Sequence, residues 1–448
     1  MKRFISLTVF LFSCLLLVNG QHAALRSGPM VGYGQMTEVM LWVQTTTSAT
    51  VHYQYWDSAE PSKKLKSVQQ KTTEDNFYTA KTLVTGLAPG KKFEYEILID
   101  GNVVKRNYPL RFQTQPLWQW RTDPPVFSVA FGSCTFVNET TIDRPGKPYG
   151  SNYEIFKTIR SKNPDLFIWG GDNIYLREVD WDTQSGIAYR YSHTREIAEM
   201  QPLLGSVHNY AIWDDHDYGP NDADRTFRLK ESSLNIFKAF WANQTYGIEN
   251  TNGTFGRFMW GDVEFFLLDD RYHRSPNDAP NDAAKTMFGK EQLQWLKDCL
   301  SNSNAPFKFI VNGNQVLNAN GEYYEAMTQF TTEYNDLVSY IKVNKISGVI
   351  FLSGDRHHTE LVVHTDSAFY PLYDFTSSSL TSGLNSKLSE KEQNNPSRVE
   401  GTLVNDKHNF GMLRFSGTQK ERIVTMECYD LAGTLRWSKE IKANDLKK

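Results

Sequence analysis

Between residues 24 and 116, apolar and polar positions alternate in short runs, at 38–44, 49–56, 78–83, 93–99 and 109–114, separated by turn signals. Period-two alternation at that spacing predicts a small all-β sandwich, each strand turning one face to a core. A junction at 117–125, with two Trp and the pair Pro124-Pro125, closes it. Beyond it the pattern changes: continuous apolar runs at 126–131, 166–169, 210–213, 307–311 and 349–352 alternate with helical periodicity at 153–161, 231–242, 290–300 and 333–343. Apolar strands spaced by amphipathic helices predict a layered α/β domain over 125–444. A hairpin-like pair, 254–260 and 263–268, interrupts the alternation, and 412–441 returns to strand pattern.

The reactive residues lie just after the apolar runs. Gly132-Ser-Cys134 follows the first, Gly170-Gly-Asp172 with Tyr175 the second, and Asp214-Asp-His-Asp217 the third. Asn312-Gly-Asn-Gln315 follows the fourth and Ser353-Gly-Asp-Arg-His-His358 the fifth. Ligands of open α/β sheets bind outside the carboxyl ends of the strands, so these residues are expected at one edge. Taken singly, each has an ordinary explanation: an Asp after Gly-Gly caps a helix, and a lone Cys packs in a core. Five such groups at equivalent strand ends are not explained that way. Asp214, Asp215 and Asp217, joined by Asp172 and Asp355, would repel one another unless cations neutralised them, which predicts a centre of more than one metal ion. The thiolate of Cys134, the phenolate of Tyr175 and carboxylates suit a Lewis acid such as ferric iron, while the oxygens of Asp172, Asp215, Asn221 and Asn314 suit calcium. Ligand softness does not separate iron from zinc.

A chain of 448 residues exceeds what one hydrophobic core usually serves, in keeping with two domains, one of them large. The formal charge of −3, with both signs mixed along the chain, offers no polycationic face, so no obligate nucleic-acid partner is expected. Residues 1–20 carry Lys2 and Arg3, an apolar stretch over 4–18 and small residues before Gln21, which predicts a signal peptide cut after Gly20. An uncleaved anchor ranks second, because the apolar run is short for a bilayer, and a lipoprotein use of Cys14 ranks third. No later run is apolar enough to span a membrane, so the mature chain is expected to be secreted or periplasmic, with cell-surface attachment open. Cleavage would remove Cys14 and leave Cys134, Cys299 and Cys428, an odd number for an oxidising compartment. If Cys134 binds metal, Cys299 and Cys428 remain as a candidate disulfide.

In this order the motifs resemble the alkaline phosphatase D (PhoD-like) family of metallophosphatases. The matching stretches are Phe131-Gly-Ser-Cys134, Gly171-Asp-Asn-Ile-Tyr175, Ile212-Trp-Asp-Asp-His-Asp217 and Leu352-Ser-Gly-Asp-Arg-His357, with Leu268-Asp-Asp-Arg271 resembling a further motif. The run from Val84 through Leu87-Ala-Pro-Gly90 to Ile97 resembles the corner of a fibronectin type III-like domain, and the family too carries an N-terminal β-sandwich. The resemblance implies a calcineurin-like sandwich of two mixed sheets flanked by helices, acting on extracellular phosphate esters with Fe3+ and Ca2+. It implies that Cys134, Tyr175, Asp172 and Asp355 surround iron. Asp172 would bridge to calcium, with Asp215 and then Asn221 or His357 completing that site. Family members often carry a twin-arginine signal, whereas here Lys2-Arg3 runs straight into the apolar core. Export of an unfolded chain would mean loading metal outside the cytoplasm, which leaves Zn2+ or another divalent metal as alternatives.

The mechanism expected from this set is attack on phosphorus by a water whose pKa the metals lower. His216 would stand at the leaving-group oxygen, and Arg177 or Arg271 would neutralise the equatorial oxygens, although a structural ion pair is the commoner role for such arginines. The expected substrates are small phosphate esters. Two alternatives remain: a phosphodiesterase or phospholipase D-like enzyme on the same site, and a cell-surface binding protein with an inactive phosphatase-like domain.

Overall fold

In the computed structural model, which describes residues 24–320 and 325–447, two large β-sheets pack face to face. The expected signal peptide at 1–20 lies outside the described residues. Among the described residues no helix is long and apolar enough to cross a membrane.

The first sheet has nine strands. Its centre is Phe127–Gly132, Leu166–Gly170 and His208–Ile212, paired in parallel. On one side the antiparallel tail Asn409–Ser416, Ile423–Asp430 and Leu435–Lys442 completes it, as the strand pattern of 412–441 predicts. The second sheet, of six strands, runs Gly256–Trp260, Val263–Leu267, Lys308–Val311, Val349–Ser353, Phe369–Thr376, Glu360–Asp366. Both are mixed sheets, with parallel centres and antiparallel edges.

Burial on two faces explains the continuous apolar runs. Along the central strands Val129, Phe131, Leu166, Ile168 and Ile212 point into the sandwich, where they meet Phe265 and Phe309 of the opposite sheet. Their neighbours Ala130, Phe167, Trp169 and Ala211 point outward, onto the helices Glu154–Ser161, Gln184–Arg195 and Lys230–Phe240. Each fully buried Phe or Ile is worth roughly 1.5–3 kcal/mol relative to exposure. The predicted helices at 290–300 and 333–343 form as Lys290–Asn302 and Thr331–Val343.

The N-terminal region does make a sandwich, but only one of its sheets is its own: Leu65–Lys66, Ala49–Asp57, Lys92–Ile99 and Asn102–Val104. The other sheet, Leu25–Gly34, Glu38–Thr45 and Thr79–Thr85, continues the nine-stranded sheet, because Leu25–Gly34 runs parallel to His208–Ile212 with Val31 opposite His208. Gly34 permits the approach: a Cβ there would lie 2.4 Å from His208 Cε1. His208 Nδ1 donates to the Gly32 carbonyl at 2.9 Å, and Nε2 accepts the Gln113 N–H at 3.3 Å. The junction expected at 117–125 is thus a boundary of chain but not of sheet.

Cys299 and Cys428, the candidate disulfide, are both free and buried. Cys299 sits on the helix Lys290–Asn302 and Cys428 on the strand Ile423–Asp430, each as apolar packing in the inter-sheet core.

Candidate active site

Register brings the strand ends together. Gly132 lies opposite Trp169, and Gly170 opposite Ile212, so three central strands stop at nearly one level. In the facing sheet Leu267, Val311 and Leu352 are aligned in the same way. The loops that leave these ends deliver Cys134, Asp172, Tyr175, Asp214, Asp215, His216, Asp355 and His357 to one place. One oxygen from each of Asp172, Asp214, Asp215 and Asp355 lies within 4.8 Å of the others. Asp172 belongs to two further groups of that size, one with Cys134 and His357 and one with Asp215 and His216, which makes it the hub.

Around the hub the contacts are short. Asp172 Oδ2 accepts the Tyr175 hydroxyl at 3.1 Å and the Cys134 thiol at 3.6 Å, and Asp172 Oδ1 accepts the His216 backbone N–H at 3.3 Å. The Ser378 hydroxyl donates to Cys134 Sγ at 3.0 Å. His357 Nε2 lies 3.0 Å from the Tyr175 oxygen, and its Nδ1 lies 3.1 Å from the Tyr149 oxygen. The backbone is forced here: Cys134, Asp172, Asp355 and His357 have φ of 64°, 52°, 62° and 56°. Non-glycine residues in that left-handed region cost about 1–3 kcal/mol each and gather where a constellation is held for use. Gly313 supplies clearance, since a Cβ on it would stand 2.7 Å from Asp214 Cγ and 2.6 Å from Asp270 Oδ2.

The electrostatics call for cations. Burial, aided by Asp215 and Cys134, raises Asp172 well above the usual carboxylate range. Burial likewise raises Asp214, against the pull of Arg271. Burial and the charge of Asp355 push the Cys134 thiol up to about 12. Burial works against Asp215 too, but His216 and Arg271 outweigh it and hold that carboxyl below its usual range. Left to protein partners alone, most of these donors would be protonated and unable to bind metal. A cation among them reverses that balance. Asp215 Oδ1 and Asp270 Oδ1 are also buried without a hydrogen-bond partner among the described residues. An oxygen-rich cluster with one sulfur donor and spare buried carboxylate oxygens fits a pair of hard to borderline cations.

Other expected residues are placed differently. Asn221 lines the cavity above the cluster. Asn314 accepts Arg274 at 2.9 Å and Arg271 at 3.3 Å through Oδ1 and donates to Asp214 Oδ2 at 3.2 Å, so its amide is engaged beneath the carboxylates. Asp217 turns away, accepting the backbone N–H groups of Asn173 and Asp214, both at 3.1 Å, and it ties two loops together. Arg271, fully buried, pairs with Asp214 at 2.5 Å and Glu325 at 2.9 Å. Arg177 pairs with Asp143 at 2.9 Å, donates to the carbonyls of Tyr175 and Val137, and lies under the Phe136 ring. The donors of both arginines are thus turned toward protein partners.

Sequence reasoning missed Glu325 and Asp222, which group with Asp215 within 4.8 Å, and Tyr149, whose hydroxyl meets His357. Glu325 and Tyr149 come from loops with no apolar run before them. Asp222 could have been found as the carboxylate next to Asn221.

A sandwich of two mixed sheets with this donor cluster at its strand ends defines the metallophosphatase class of fold. The family model described as PhoD-like phosphatase matches residues 131–426, and the chain belongs to that family. A second model, a domain of unknown function (DUF7800), matches residues 22–117. Alkaline phosphatase D of Bacillus subtilis (strain 168) is 22% identical over 360 residues, covering 66% of this chain and 60% of that protein. The chain therefore spans less than two thirds of the length of that curated relative. The solved structure of PhoD aligns with a TM-score of 0.76 at 17% identity, covering 94% of this chain and 93% of that one. A purple acid phosphatase, PPD1, from seeds of yellow lupin (Lupinus luteus) aligns at 0.64 with 13% identity, covering 94% and 76%. At these identities the likeness is one of fold.

Proposed function

We propose that this chain is an exported, metal-dependent phosphoric-ester hydrolase, an alkaline phosphatase-like phosphomonoesterase. The observation that carries the reading is the convergence on Asp172 of a buried thiol, a phenol, two imidazoles and three further carboxylates, a set in which cations take the place of the protons that burial would otherwise hold on the acids. Membership of the PhoD-like phosphatase family supports it, and the charged-then-apolar start of the sequence supports export.

In this reading Cys134, Tyr175, Asp172 and Asp355 would hold Fe3+, and Asp172 and Asp215, with Asn221 or His357, would hold Ca2+, with Zn2+ as the substitute to test. Glu325 and Asp222 join the calcium side through Asp215. Asp214 and Asn314 brace the carboxylates from below. Bound there, the cations would supply Lewis acidity toward a phosphoryl oxygen and an activated water. His216, its ring 4.1 Å from that of Tyr175, stands where the cluster opens to the cavities and serves the leaving-group oxygen. Arg271 and Arg177 act through others, Arg271 by fixing Asp214 and Glu325, Arg177 by fixing the loop that carries Tyr175.

The test is hydrolysis of an aryl phosphate monoester and the matching diester, before and after chelation and return of calcium, beside a Cys134→Ala variant. Activity lost on chelation, restored by calcium and weakened at least tenfold by the substitution is expected. The ratio of the two esters separates a monoesterase from a diesterase or phospholipase D-like enzyme. Folded, metal-replete protein that hydrolyses neither would put a binding protein with an inactive phosphatase-like domain in first place.

A further inference from the structure

Two cavities of opposite character meet over the cluster. The smaller, about 430 Å³, is walled by Asp215, Asp222, Glu325 and Asp355. The larger, about 770 Å³, is walled by Phe136, Ile142, Leu176, Trp181 and Pro220. Tyr149, His216 and Asn221 line both, so the two form one cleft with His216 at the join.

The wall of the larger cavity is a chain of rings. Tyr149 and Phe136 stand edge to face at 4.9 Å, Phe136 and Tyr175 lie 5.2 Å apart, and Tyr175 overlaps His216 at 4.1 Å. Tyr149 is 49% exposed, an unusual state for a large aromatic side chain at the edge of a buried cluster. The Trp181 ring lines the same cavity. Arg144 and Lys147 stand at the mouth, and Lys147 enters no ion pair among the described residues. Concave aromatic walls with a few polar groups are the make-up of small-molecule sites, and about 770 Å³ is within their usual range.

We propose that the larger cavity is the leaving-group subsite and that it takes alcohols bearing an aromatic or heteroaromatic ring. The proposal rests on the hydrolase reading and narrows its substrate class. A phosphoryl group placed among the acidic residues, where the cations belong, directs its ester oxygen past His216 and its alcohol into the ring-lined space. There a flat ring gains offset or edge contacts with Phe136, Tyr149 and Trp181. A short aliphatic alcohol leaves those rings wet. In the reaction the bond from phosphorus to the alcohol oxygen breaks, the oxygen of one water takes its place on phosphorus, and a proton of that water ends on the released alcohol.

The test compares 2-phenylethyl phosphate with ethyl phosphate, both esters of primary alcohols, so that intrinsic leaving ability is nearly matched. For the metal-loaded protein kcat/KM is expected to favour the phenylethyl ester at least tenfold. Trp181→Ala and Ile142→Asn are each expected to bring that ratio down at least threefold, while Val179→Ala, an exposed position on the same segment, leaves it as it is. Binding of the non-hydrolysable 2-phenylethylphosphonate and ethylphosphonate, measured by calorimetry, reads the subsite without turnover and is expected to show the same preference. Equal kcat/KM with equal phosphonate affinity overturns the subsite and leaves the hydrolase standing. A ratio that the two substitutions do not move overturns the assignment to this cavity. Phosphonate preference without hydrolysis of either ester supports the subsite and removes the hydrolase reading instead.

Discussion

The Tyr175 hydroxyl donates to Asp172 Oδ2 across 3.1 Å, from a ring that also packs on His216. Tyr175→Phe keeps the ring and removes the oxygen. Its fold is expected to survive, with a stability change within ~1 kcal/mol once metal is present, while metal affinity or kcat falls about 10–100-fold. Metal content by elemental analysis, read beside activity, checks this. A variant with native metal content and native kcat would exclude the phenol from the centre.

Arg271 sits with no exposure among Asp214, Glu325 and Asn314, and burial is outweighed by Asp214, Glu325, Asp215 and Asp270, which raise its affinity for the proton. Removing one partner of a buried ion pair leaves the others uncompensated. Arg271→Met is therefore expected to cost about 3–5 kcal/mol in urea unfolding of the metal-loaded protein. Arg271→Lys is expected to recover only part of that, because an ammonium cannot reach Asp214, Glu325 and Asn314 at once as the guanidinium fork does. A loss below ~1 kcal/mol in Arg271→Met would mean that the cations alone hold the carboxylates.

The layered α/β domain and most of its strands were legible because strands buried on both faces leave unbroken apolar runs, and the loop after each run carries a residue of the candidate site. The helix Gln184–Arg195 was not legible. It buries Arg190, Ser192, Thr194 and Arg195, Arg190 paired to Glu139 and Asp180, so polar residues occupy the face that periodicity expects to be apolar. Glu325 and Tyr149 were hidden for a related reason: they reach the site from irregular loops whose course is set by tertiary packing. The continuity of the N-terminal sheet with the central one was also invisible, since Leu25–Gly34, with three glycines and a proline and buried along most of its length, shows no alternation and was not among the strand runs. The left-handed conformations at Cys134 and His357 leave no mark in composition.

Lys308 opens a central strand while almost wholly buried, donating to the carbonyls of Ala305 at 2.7 Å and Ser347 at 3.0 Å. Burial pushes its ammonium down to about 8, with Glu264 opposing. The unfolded chain holds that proton until roughly pH 10.4, so between the two values the unfolded state binds more protons and stability rises with pH. The gain is about 1–3 kcal/mol. Denaturant unfolding at pH 7 and pH 9.5 is expected to show this increment in the native protein and to lose it in Lys308→Met. Equal pH slopes in the two proteins would contradict the account.

Cys134, Cys299 and Cys428 are buried and unpaired, and burial pushes the Cys134 and Cys299 thiols up. None is expected to react with a thiol reagent in native, metal-loaded protein, and all three are expected to react in guanidinium without any reductant. Detection of only one reactive thiol in the unfolded, unreduced chain would restore the disulfide between Cys299 and Cys428.

The parallel pairing of Leu25–Gly34 with His208–Ile212 makes the N-terminal region part of the scaffold that positions Asp214 to His216. Deleting 24–124 would uncover the edge of His208–Ile212 and remove both partners of the His208 ring, the Gly32 carbonyl at Nδ1 and the Gln113 N–H at Nε2. An exposed apolar edge strand invites aggregation, and each orphaned buried polar group costs about 1–3 kcal/mol. The segment 125–447 expressed alone is accordingly expected in the insoluble fraction. Gly34→Val, which forces a side chain against the His208 ring, is expected to lower the melting temperature of the full chain by several degrees. Soluble, monomeric 125–447 that melts at the temperature of the full chain would show that the shared sheet contributes little to holding the site.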